Sequence, residues 1–140
     1  MKKTLLLLSI VFVCGSAIAQ TEKAEYSNVI NVELGKDLKG QTVTIDAEFF
    51  GFGMAGMAKP NKFKVGYIPF RCFEIGGEPE KNSFGGEVGN FFFIKKKNDY
   101  ADEVKNLKKG DKVTITGEVY INNYYGYKNV NFIVHEITKI

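Results

Sequence analysis

Little in this 140-residue chain can hold a metal ion, close a disulfide or supply a catalytic histidine. Its sole histidine, His135, and its two cysteines, Cys14 and Cys72, have no metal-ligand spacing, and no loop of alternating aspartates fits calcium. Long hydrophobic runs are missing too. The run from Leu5 to Val13 stops at Cys14 and Gly15, short of the roughly twenty apolar residues that span a bilayer. Lys2 and Lys3 precede it and Ala17-Ile18-Ala19 follows, which is the pattern of a secretory signal. It predicts cleavage after Ala19 and a periplasmic or secreted bacterial product that begins at Gln20. Bulky Phe12 and Val13 ahead of Cys14 argue against a lipoprotein signal.

Charge of one sign is also scarce. Loss of residues 1–19 removes two of nineteen basic residues and none of the sixteen acidic ones, so the net charge falls from +3 to 17 − 16 = +1. Nucleic-acid binders usually carry a strong basic surplus, which this balance lacks. With Cys14 gone, Cys72 has no partner, and the domain must be held by its hydrophobic core. The remaining residues are enough for one such core.

What the chain has in quantity is twelve Phe and seven Tyr, which bury large areas, and fifteen Gly, which supply turns. Gln20 to Asn28 is polar and reads as a flexible lead-in, and Val29 to Leu34 as a short strand. Residues 20–36 are thus expected to precede a domain of residues 37–140. Thr42 to Phe50 alternates, with Val43, Ile45, Ala47 and Phe49 on one face, the period of a half-buried strand. Lys62 to Ile75 is a second extended stretch, with an edge position or bulge expected at Pro69. Gly76 to Asn90 reads as a glycine-rich loop and Phe91 to Lys96 as a third strand. One helix follows, capped by Asn98 or Asp99, with Tyr100, Val104 and Leu107 on one face and Lys108-Lys109-Gly110 at its end. Lys112 to Ile121, interrupted by Gly117, and Asn129 to Ile140 complete five strands. Leu38-Lys39-Gly40 before Val43-Thr44-Ile45 is echoed by Leu107-Lys108-Lys109-Gly110 before Val113-Thr114-Ile115, too briefly for a repeat.

This order, with its helix between strands three and four, resembles the OB-fold superfamily, small exported bacterial members included. The segments Leu107 to Val119 and Ile133 to Ile140 carry the likeness most clearly. The resemblance implies an all-β domain with one helix, a five-stranded Greek-key barrel closed at one end by that helix. It also implies a ligand across strands two and three, framed by the loops Gly51 to Asn61 and Asn122 to Lys128. The candidate ligand-binding residues are therefore Phe52, Met54, Met57, Tyr67, Tyr124, Tyr125 and Tyr127.

Catalytic readings find little support. Gly51-Phe52-Gly53-Met54-Ala55-Gly56 matches a dinucleotide fingerprint, but Lys59-Pro60-Asn61 leads into a strand where a cofactor loop needs a helix. His135 and Glu136 alternate across a strand and form no dyad. Cys72 sits in an apolar strand and reads as a small core residue, and Asp46 and Glu48 share an exposed face. The expectation is a binding module for a protein, glycan or small envelope ligand, with no enzyme activity, cofactor or metal. The alternative is a binder of single-stranded nucleic acid or another polyanion, led by Lys95, Lys96 and Lys97. Lys108, Lys109 and Lys112 are expected at the helix-capped end, away from the groove.

Overall fold

The alternating segment after Gly40 forms strand β1, Thr42–Phe52. The computed structural model describes residues 21, 23–53, 60–124 and 126–140, with the backbone alone at Val88, Tyr124 and Tyr127. The further strands are β2 (Tyr67–Phe73), β3 (Glu80–Lys81), β4 (Glu87–Val88), β5 (Asn90–Lys95), β6 (Lys112–Tyr124) and β7 (Tyr127–Lys139). Five of them close a barrel in the order β1-β2-β5-β7-β6, while β3 and β4 form a separate hairpin. β5 and β7 run parallel and the other barrel pairs antiparallel, the expected Greek-key connection.

Period-two alternation decides what fills the barrel. Val43, Ile45, Ala47 and Phe49 of β1 point inward and meet Phe70 and Cys72, Phe92 and Ile94, Val113 and Ile115, and Phe132 and Ile137. β6 bends sharply where its register with β7 shifts between Thr116 and Gly117. A Cβ at Gly117 would lie 2.2 Å from the Ile133 carbonyl oxygen and 2.6 Å from the Phe132 ring, so only glycine lets the two strands approach there.

Helix α3, Ala101–Lys105, lies between the third and fourth barrel strands and drives Val104 into the core. The Asn98 side chain accepts a hydrogen bond from the Tyr100 N–H at its start. Two further helices precede the barrel, α1 (Tyr26–Ile30) and α2 (Val32–Gly35). The expected strand at Val29 to Leu34 is therefore helical. Asn31 explains this locally, because its side chain accepts from the Glu33 and Leu34 N–H groups and caps α2. Tyr26 and Val29, three residues apart on α1, enter the core, and the Tyr26 ring stacks on Phe92. The Tyr26 hydroxyl donates to the Cys72 carbonyl and accepts from Asn90, each at 2.9 Å. α1 thus packs onto the same core as α3.

Three other expectations change. Lys62 to Gly66 is no strand: Asn61–Phe63 is a 3-10 turn that buries Phe63. The Gly76 to Asn90 stretch contains the β3–β4 hairpin. His135 lies at the bulge in β7, so both it and Glu136 are exposed and do not alternate. Pro69 lies beyond the last β1–β2 pair, Phe52 with Phe70, and its carbonyl accepts from the Gly53 N–H.

Candidate aromatic and cationic site on the outer sheet face

The residues of β2 that do not fill the barrel point outward: Tyr67, Pro69, Arg71 and Phe73. Register carries each across the sheet, since Arg71 pairs with Gly51 on β1 and Phe91 on β5, and Pro69 pairs with Phe93. Phe91 and Phe93 pair in turn with Asn131 and Ile133 of β7. This outer face carries aromatic rings in two groups.

The first group is filled by the chain itself. Phe63 folds back from the β1–β2 loop and stacks on Phe93, centroids 4.1 Å apart with planes 8° from parallel. Tyr67 and Tyr120 meet its edges at 5.1 and 5.2 Å, and the Lys62 ammonium lies 4.7 Å from the Tyr120 centroid. Phe63, Phe93 and Ile133 are buried as a second apolar cluster, separate from the barrel core. Beside it a cavity of about 320 Å³ is bordered by Lys62, Tyr67, Lys95, Glu118 and His135.

The second group is part-exposed and carries the chain's own cations. The register shift between Phe49 and Gly51 leaves Phe50 as a bulged residue, and its ring meets Phe73 edge-on at 6.2 Å. The Arg71 guanidinium lies 4.8 Å from the Phe50 centroid, and the Lys109 ammonium 4.7 Å from the same centroid. Lys109 also pairs with Glu87 of β4 at 3.1 Å. Its place corrects the expectation that it sits away from the groove. The Phe49 N–H donates to the Asp111 carbonyl and the Gly110 N–H to the Phe49 carbonyl, which ties the α3–β6 turn to the β1 bulge.

The candidate residues fare differently. Tyr67 is half-buried beneath Phe63, whereas Phe52 is exposed at the end of β1 with its ring 5.1 Å from Phe49. Met54, Met57 and Tyr125 lie outside the described residues, as do the signal segment 1–19 and Cys14. Tyr124 and Tyr127 pair as backbone at the tip of the β6–β7 hairpin, and their side chains are likewise outside the description. Lys95, Lys96 and Lys97 are exposed, but only Lys95 borders the aromatic face, opposite Tyr67 in the ladder. Cys72 is buried, which pushes its thiol well up from the usual value and away from the thiolate a nucleophile requires. Asp46 accepts from Lys23 and Thr114 at 2.6 and 2.8 Å and acts as a tie between strands.

Sequence reading missed Phe50, Phe63, Arg71 and Phe73. A signal for two of them was present, because alternation from Tyr67 puts Arg71, the chain's single arginine, and Phe73 on one face. Nothing local marked the bulge that exposes Phe50.

No protein-family model matches the sequence, and no curated protein matches it. Solved structures do. A protein assigned as an aspartyl-tRNA synthetase from Leishmania major Friedlin aligns with a TM-score of 0.54 at 10% identity, over 91% of this chain and 22% of that one. An OBody bound to hen egg-white lysozyme aligns at 0.48 and 18% identity, over 74% and 83%. The N-terminal domain of PriB from Thermoanaerobacter tencongensis aligns at 0.40 and 16%, over 71% and 94%. The closed β1-β2-β5-β7-β6 order with α3 between β5 and β6 makes this chain an OB-fold barrel.

Proposed function

We propose that this chain is an exported, non-enzymatic interaction module of the bacterial envelope or extracellular space. Its ligand, a protein, glycan or small envelope molecule, lies on the outer face of β2 and β5. The observation that carries this reading is that part-exposed Phe50, Arg71 and Phe91 face away from the core on and beside the strands where such barrels take ligands. Aromatic rings and arginine are the residues that most often carry binding energy at interfaces.

The test uses the protein recovered from the producing cell's export pathway, immobilised and exposed to envelope extract. N-terminal sequencing reads Gln20 if the signal is cleaved as proposed. Phe91→Ala is expected to weaken capture of the recovered ligand severalfold with the fold intact by circular dichroism. Unchanged capture removes the ligand from this face.

A polyanion reading is kept by one observation: Lys62 and Lys95 flank Tyr67. It predicts binding of a single-stranded oligonucleotide that falls steeply with salt, and no binding at low salt ends it.

A further inference from the structure

The turn of the β3–β4 hairpin carries Phe84, which is 96% exposed. A lone apolar side chain on a protein surface is ordinary, but this one is held in place. The Asn82 side chain accepts from the Phe84 and Gly86 N–H groups at 3.0 and 2.9 Å. The Asn82 N–H donates to the Gly86 carbonyl and the Gly85 N–H to the Asn82 carbonyl, both at 2.9 Å. These bonds fix the backbone of the tip, so little of its freedom is left to lose on contact. Behind the ring the arm is acidic, since residues 78–88 hold three glutamates against one lysine, Lys81. Lys109 holds Glu87, whereas Glu78 and Glu80 have no cation partner among the described residues.

The same chain carries a cavity of matching size and opposite charge. The space of about 320 Å³ on the outer sheet face is walled by Tyr67 and Ile133 and rimmed by Lys62, Lys95 and His135, with Glu118 as the carboxylate at its border. A benzene ring needs only about 150 Å³. Among the described residues neither Lys62 nor Lys95 has a carboxylate partner. The larger cavity beside α1, about 570 Å³, has Lys128 against Glu74, Glu78 and Glu80 and would repel an acidic hairpin. An anionic lipid surface would repel it too.

We propose that Phe84 of one copy enters the Tyr67 cavity of a second copy, with Glu78 and Glu80 set against Lys62 and Lys95. The interface lies apart from Phe50, Arg71 and Phe91 and does not rest on the ligand reading above. It competes with the polyanion reading, because both use Lys62 and Lys95. Knob and cavity are different surfaces, so the contact is heterologous, and it closes a dimer only when each copy fills the other's cavity. One ring and two rim pairs make a weak interface, with a Kd of about 0.1–1 mM per contact.

The test follows self-association of the exported, purified protein by NMR and sedimentation up to about 1 mM. Phe84→Ser and the double variant Lys62→Glu, Lys95→Glu, each with the wild-type circular dichroism spectrum, are expected to weaken it by about tenfold or more, the scale of one buried aromatic side chain. Added salt weakens the wild type severalfold through the rim pairs. The decisive sample mixes the two variants, since Phe84→Ser keeps the cavity and the double variant keeps the knob. Neither associates with itself, and together they form a 1:1 complex that shifts the Tyr67 and Ile133 resonances of the Phe84→Ser partner. A wild type that stays monomeric to about 1 mM, association retained in either variant, or a mixture that forms no complex overturns the proposal. A monomeric wild type that binds oligothymidylate through Lys62 and Lys95 also overturns it and gives the cavity to the polyanion reading.

Discussion

Two halves of one sheet face use their aromatic rings in opposite ways. Around Phe93 the chain's own Phe63 lies stacked on the ring, with Tyr67 and Tyr120 packed edge-on against Phe63. Around Arg71 the part-exposed Phe50 ring carries the Arg71 and Lys109 cations over it and meets the buried Phe73 edge-on. An aromatic-rich sheet face is therefore not a site throughout. A ring enclosed on both sides adds stability, and only a ring with an open side is available to a ligand.

The sharpest way to break this contrast is Phe63→Ala. Phe63 is fully buried in a loop with little else to anchor it, so its loss is expected to cost about 3–5 kcal/mol in urea unfolding. A loss below about 1 kcal/mol would mean the ring is not packed as described.

Gly117→Ala probes the strand approach behind the same half. Its methyl group meets backbone and a buried ring, neither of which can swing aside, and a cost of about 1–3 kcal/mol is expected by the same measurement. A neutral substitution would place the β6 bend elsewhere.

Phe50→Ala is expected to cost no more than about 1 kcal/mol, because its ring is only part-buried and the Lys109 over it is exposed. A cost equal to that of Phe63→Ala would erase the distinction between the halves.

The smallest effect belongs to Asp46, outside both halves. Partial burial pushes its carboxyl up, but hydrogen bonds from Lys23 and Thr114 outweigh this and hold it below the ordinary value. A depressed folded value contributes stability that is present above the unfolded value, about 3.9, and is lost as pH falls through the folded one. The wild type is therefore expected to exceed Asp46→Asn by less than about 1 kcal/mol near neutrality, since Lys23 is exposed, with the gap closing below about pH 4. An unchanged gap at pH 2 would assign the effect to packing.

The sequence by itself determined the barrel strands and α3. Val43, Ile45, Ala47 and Phe49 can be buried together only at a period of two, and Val104 follows from Tyr100 only at a helical spacing. Gly117 announced the bend because an isolated glycine in an alternating strand marks close approach. What only the tertiary structure decided are the features that depend on partners distant in sequence. Tyr26 becomes core because Phe92 and Cys72 meet it there, although its polar surroundings read as a lead-in. Phe63, set between two lysines, stacks on Phe93, whereas Phe50, in an aromatic strand end, is turned outward by a bulge in register with β2. Lys109 reaches Phe50 because hydrogen bonds join two turns that lie some sixty residues apart in the chain. A hydrophobic pattern states which side of an element faces the core. It carries no information about which outward ring another segment will cover, and that selection placed the candidate site beside Arg71.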